Sequence, residues 1–141
     1  MLFRSYLGQA YGVQASAVAI KLNIEEVLLD LDTAIACGLI INELVSNALK
    51  YAFPPGMEIG RSDEIRVGLS EMEGRIALTV SDNGVGLPAE VNFQRTESLG
   101  LPLVYSLMND ELDGTIEVEC HNGTCFKLTF PRSAQAPGQA G

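Results

Sequence analysis

Glu43 and Asn47 stand four residues apart in the run Asn42-Glu43-Leu44-Val45-Ser46-Asn47-Ala48-Leu49-Lys50-Tyr51. On a helix that spacing puts them on one face, and Lys50 and Tyr51 follow at the next turn. A carboxylate, a carboxamide oxygen and an ammonium in a row can hold Mg²⁺ and a phosphate chain. Hard oxygens suit Mg²⁺, which keeps several waters and takes few protein ligands. A solvated stripe on an amphipathic helix would look the same. Against that, Leu39, Ile40, Ile41, Leu44, Val45, Ala48 and Leu49 surround the polar residues. Unpaired Glu and Asn in an otherwise buried helix are costly.

A second set is Asp82-Asn83-Gly84-Val85-Gly86-Leu87-Pro88, directly after an alternating run. The two glycines allow torsions barred to other residues and let a ligand come close. An Asp at a strand end can accept a hydrogen bond from an exocyclic amine such as that of adenine. Alone, Asp-Asn-Gly is also a good turn. A third set, Ser98-Leu99-Gly100-Leu101, enters a helix. Backbone amides at a helix N-terminus attract phosphate, although any glycine before a helix offers as much.

The elements that must position these residues follow from their periods. Val18, Ile20, Leu22 and Ile24 alternate with polar or small residues, so 17–24 is predicted to be a half-buried strand. Asp30 to Asp32 offer N-cap carboxylates for a long helix reaching about residue 51, and Pro54-Pro55-Gly56 ends it. Two strands follow, 64–72 and 75–81, joined tightly at Glu73-Gly74. Residues 82–98 carry no clear period and read as a long functional loop. A helix is expected over 101–112, with Pro102 in its first turn. A hairpin of strands 115–120 and 125–130 closes the fold. A short helix is expected over 4–12, a loop over 57–62, and a disordered tail over 133–141.

The chain has 141 residues, with 9 Lys and Arg against 18 Asp and Glu, a net charge of −9. One domain fits this length. The acidity argues against a nucleic-acid partner, which needs clustered cations. It leaves room for a nucleotide site, where one lysine and several backbone amides suffice. Apolar runs are too short to span a bilayer, and Arg4, Ser5 and Tyr6 interrupt the early one, so no signal peptide is read. Cys37, Cys120 and Cys125 form no disulfide framework and suggest a reducing compartment. Cys120 and Cys125 bracket a turn, but their spacing is wide for a zinc knuckle.

The order of the motifs is more specific than any one of them. A polar helix, a strand ending Asp-x-Gly-x-Gly, a long loop, Ser-Leu-Gly-Leu, then a strand pair with Gly123-Thr124 resembles the catalytic ATP-binding domain of sensor histidine kinases. Their wider superfamily includes gyrase, the Hsp90 chaperones and MutL. The likeness covers about residues 5–131. The run from Asn42 to Tyr51 looks like the N box, Asp82 to Gly86 like the G1 box, and Ser98 to Leu101 like a reduced G2 box. The wording from Gly38 to Pro54 is similar to the subfamily with Glu in the N box. The resemblance implies a two-layer α/β sandwich: a mixed, mainly antiparallel sheet of about five strands, with about three helices on one face. The domain would span 1–132.

Carried over residue by residue, the resemblance implies that Asn47 ligates Mg²⁺ and Glu43 takes the position of a water-activating Glu. Lys50 would contact phosphate, and Tyr51 would pack near the nucleotide. Asp82 would bind the adenine amino group, with Gly84 and Gly86 shaping the pocket floor. Gly100 and Leu101 would serve the phosphates, and Thr124 the adenine side. Residues 87–98 would form a lid in which Gln94 or Arg95 could reach the terminal phosphate. The implied activity is transfer of the ATP γ-phosphoryl group to a histidine on a dimerisation segment, with a response regulator as indirect partner. The implied setting is cytoplasmic, without membrane contact by this domain. His121, the sole histidine, reads as an exposed turn residue and not as the acceptor. The G2 box has a single glycine, and Pro102 removes one N–H donor. The alternatives are an anti-sigma-factor-like serine kinase and a nucleotide-dependent interaction module without transfer activity.

Overall fold

The computed structural model describes residues 18–53, 63–85 and 101–132. Among them the elements in chain order are β1 (Ala19–Ile24), α1 (Leu31–Asn47), β2 (Glu64–Met72), β3 (Arg75–Asp82), α2 (Leu101–Ser106), β4 (Thr115–Cys120) and β5 (Thr124–Pro131). Both helices run on into a π-helical turn, Ala48–Ala52 after α1 and Leu107–Leu112 after α2. The expected helix over 4–12, the loop over 57–62, the loop over 87–98 and the tail over 133–141 lie outside the described residues.

Local chemistry accounts for the boundaries. Asp30 caps α1: its Oδ1 accepts from the Thr33 N–H at 2.8 Å, satisfying one of the orphan donors of the first turn. Glu73 and Gly74 both take positive φ, 54° and 79°. This is the backbone that a two-residue hairpin turn needs to match the strand twist. After the second π-turn, Asp113 is left-handed at φ 54°, and the Gly114 N–H closes back onto the Met108 carbonyl at 2.9 Å.

The sheet has five strands in the order β1-β2-β3-β5-β4. β1 pairs parallel to β2, and the other pairs are antiparallel. Alternation sends Ile65, Val67, Leu69, Ile76, Leu78, Val80, Phe126, Leu128 and Phe130 to one face, where all are buried. The helices cover that face. α1 contributes Ile40, Ile41, Leu44 and Val45, and the second helical segment contributes Leu101, Val104 and Met108. The result is the expected two-layer sandwich with a mixed, mainly antiparallel sheet.

Cys37 sits fully inside this core. Burial, with the Asp30 carboxylate adding to it, pushes its thiol up from about 9 to about 12. At the opposite, polar face Glu64 pairs with Lys21 at 3.3 Å and with Arg66. The Arg66 hydrogen bond, then that of Lys21, holds the Glu64 carboxyl below its ordinary value. A third pair joins Arg132 to Glu71 at 3.0 Å. These pairs are at the surface and add little to stability.

Candidate nucleotide site

Where α1 passes over the ends of β3 and β5, a pocket opens with about 340 Å³ of empty space, its mouth included. Its walls are Leu44, Ala48, Ala52, Val80 and Phe126. Its polar groups are Asn47, Asp82 and Thr124, with the Tyr51 ring at the rim. A mostly apolar concavity with a few convergent polar groups is the usual build of a small-molecule site.

The pocket brings together side chains far apart in sequence for simple reasons. Asp82 is two residues beyond Val80 on β3, so it shares the core-facing side of the strand. Thr124 lies two residues before Phe126 on the same side of β5. Asn47 is three residues beyond Leu44 on α1, and the π-turn carries Tyr51 and Ala52 back to the same wall. The π-turn also separates Lys50 from this set: Lys50 is exposed and does not line the pocket. Glu43, half-buried, does not line it either. A continuous α-helix to residue 51, as the sequence suggested, places Lys50 and Tyr51 side by side behind Asn47. The wider turn sorts them, with Tyr51 to the pocket and Lys50 to solvent.

Asp82 is the most constrained group. Its Oδ1 accepts from the Gly84 N–H at 2.9 Å and from the Thr124 N–H at 3.3 Å. The first closes an Asx turn. The second ties the carboxylate to β5. Gly123, at φ 122°, lies so close that a Cβ there would be 2.0 Å from the Asp82 carbonyl oxygen. Only glycine fits. A Cβ at Gly84 would be 2.1 Å from the Ala52 carbonyl oxygen, and the Val85 N–H donates to that same oxygen at 2.9 Å. Gly84 is therefore required by close approach of the helix end. Its φ is not positive, so the torsional freedom that the sequence suggested is not used there.

Ala52, Val80 and Phe126 were not singled out by motif for the site, and Gly123 entered only as the partner of Thr124 in the motif order, with no role of its own. Val80 and Phe126 were findable, since each stands two residues from a motif residue on the same strand. The contacts of Gly123 and Ala52 are long-range and leave no local signal. Leu101 is fully buried, so its side chain belongs to the core, and only its main chain could serve a ligand. Gly86, Gly100, Gln94 and Arg95 lie outside the described residues. In the hairpin, Cys120 pairs with Thr124 and Cys125 with Glu119. The two thiols therefore point to opposite faces of the sheet and cannot share a ligand. His121 is exposed in the turn between β4 and β5.

The sequence profile of the histidine kinase-, DNA gyrase B- and HSP90-like ATPase family matches residues 33–134, and the chain belongs to that family. Among curated relatives, the sensor histidine kinase PdtaS of Mycobacterium tuberculosis is 40% identical over 90 residues, which are 63% of this chain and 17% of PdtaS. Among solved structures, the blue-light activated histidine kinase of Erythrobacter litoralis superposes with a TM-score of 0.82 at 25% identity, over 98% of this chain and 44% of that one. The histidine kinase ThkA, solved in complex with a response regulator protein, shares the fold. Its TM-score is 0.72 at 19% identity, over 95% of this chain and 40% of that one. The chain thus spans under half the length of these relatives. No helix among the described residues is long and apolar enough to cross a membrane.

Proposed function

We propose that this chain is the cytoplasmic, Mg-ATP-binding part of a sensor histidine kinase, which passes the γ-phosphoryl group of ATP to a histidine on a dimerisation segment. The observation that carries the reading is the single pocket joining Asn47 and Tyr51 of the N box, Asp82 of the G1 box and Thr124 of the last strand pair. The adenine ring lies between the apolar walls, with its amino group donating to the Asp82 carboxylate and Thr124 beside it. The phosphates extend toward Asn47 and Lys50, and onward to Gly86, Gly100 and the main chain of Leu101.

Asn47 suits Mg²⁺: it offers a hard carboxamide oxygen at the pocket wall, and phosphate oxygens with water complete such a shell. The bound cation would neutralise charge on the phosphates. Glu43, one turn before Asn47, is the group to orient or accept a proton near the terminal phosphate. Lys50 adds positive charge from the solvent side. The residue set 1–132 acts as one nucleotide-binding unit. His121 sits at the base end, on the turn packed against Asp82, and so is remote from the terminal phosphate. A response regulator takes the phosphoryl group onward from the histidine.

The test has two stages. Mg-ATP at 100 times its dissociation constant adds about 2.7 kcal/mol of stability, so melting should rise clearly. The chain is then incubated with radiolabelled ATP, with and without a separately produced helical segment carrying the acceptor histidine. The expected result is acid-labile label on that segment alone. Label on His121 of this chain, or acid-stable label on a serine, contradicts the reading.

A further inference from the structure

Asn83 is a residue of the turn 82–85 to which nucleotide binding, as read above, gives no part. It is exposed and does not line the pocket. Across the sheet it faces Glu64, one position beyond the last registered pair, Ile65 and Asp82. The Asn83 N–H donates to the Glu64 carbonyl oxygen at 3.2 Å. The Glu64 N–H donates to the side-chain Oδ1 of Asn83 at 2.8 Å.

In a regular antiparallel pair the second bond would go to the main-chain carbonyl of the same residue. Here the side chain stands in for it. The first N–H of β2 stays satisfied, while the backbone after Asn83 is released from the ladder and turns toward α1. Asparagine suits this exchange, because its side-chain amide mimics a peptide group. Two contacts depend on that turn: the Gly84 N–H on Asp82 Oδ1 and the Val85 N–H on the Ala52 carbonyl.

We propose that Asn83 is a positioning residue for base recognition. By replacing its own main-chain carbonyl opposite Glu64, it fixes where the chain leaves β3 and so the direction in which the Asp82 carboxylate enters the pocket. The inference rests on Asp82 being the acceptor for the adenine amino group. A purely structural role would weaken all nucleotides equally. A positioning role also lowers discrimination between bases, because guanine carries a carbonyl where adenine carries that amino group.

The experiment is calorimetric titration of the 141-residue chain with Mg-ATP and Mg-GTP, for wild type, Asn83→Ala, Asn83→Asp and Asp82→Asn. Loss of one hydrogen bond predicts that Asn83→Ala weakens ATP by about two- to tenfold. GTP binding should change little, so the preference for ATP falls by a similar factor. Asn83→Asp keeps an acceptor oxygen and should keep the preference. If Asn83→Ala does not fold, Asn83→Ser, whose hydroxyl is one bond shorter, carries the same expectation. An undiminished preference in Asn83→Ala, or equal loss of ATP and GTP, overturns the proposal. If Asp82→Asn still abolishes the preference, the pocket reading stands without it. ATP binding insensitive to Asp82→Asn overturns the pocket reading and the proposal together.

Discussion

Asp82, proposed for the base, and Lys50, proposed for the phosphates, are held in contrasting ways: the first lines the pocket and the second stands outside it. Asp82 is half-buried, with Oδ1 locked by two backbone amides and its own carbonyl pressed by Gly123. Lys50 is an exposed side chain on a π-turn. Around Asp82 the geometry is set by main chain from three elements, so the proposed recognition of the base is paid in advance by folding. Lys50, exposed to solvent, is not fixed in this way, and as a proposed phosphate contact it would be ordered only by its ligand. A rigid planar base and a flexible charged chain reward these two arrangements respectively.

The largest expected effect removes the fixed carboxylate. Asp82→Asn should weaken ATP and ADP alike, roughly tenfold to a hundredfold, as loss of a hydrogen bond to a charged group predicts. Titration calorimetry with both nucleotides checks it, and unequal losses would place Asp82 at the phosphates. Next comes Gly123→Ala. A strained torsion costs about 1–3 kcal/mol, and the clash with the Asp82 carbonyl adds to it. Denaturant melts should show the loss, and nucleotide affinity should fall in the surviving folded fraction. Lys50→Ala should do less. A solvent-exposed charge contact is worth about 1 kcal/mol or under. ATP should suffer more than ADP, and the deficit should vanish at high salt. A Lys50→Ala effect as large as that of Asp82→Asn would erase the contrast between the two.

The smallest effect is silent at neutral pH. The Cys37 thiol is raised from about 9 to about 12 by burial first and by Asp30 second. Such a group resists deprotonation in the folded state but not in the unfolded one. Its contribution is therefore fully present below pH 9 and lost as pH rises from about 9 toward 12. Cys37→Ala should flatten that limb of the stability profile. Unchanged alkaline behaviour would show that Cys37 is not the group responsible.

Much of the architecture was legible because the strands are one-sided. Val67, Leu69, Ile76, Leu78 and Val80 alternate with polar or small residues, so the period-2 pattern marks both β2 and β3. Asp30 announced the start of α1. The end of α1 was not legible, since the residues of a π-turn carry no pattern distinct from α. Counting on at 3.6 residues per turn therefore kept Lys50 with Asn47. The pocket's polar corners Asn47, Asp82 and Thr124 were readable from motif order. What holds Asp82 was not. The contacts of Gly123 and Gly84 join residues tens of positions apart, and only the folded chain makes their tightness visible.

The π-turn at Ala48–Ala52 also bears on chain length. A π-turn is an α-helix that has accommodated extra backbone, at a site where such turns often serve function. Excising the exposed Lys50 from it would let the helix relax to α without removing a buried side chain. It would also swing the Ala52 carbonyl away from the Val85 N–H and open the seat of Gly84. Tolerance to insertions and deletions should therefore be low in these five positions, whereas changes of side chain at the exposed Lys50 are borne easily. The helix end meters how much chain separates Asn47 from the turn that follows Asp82.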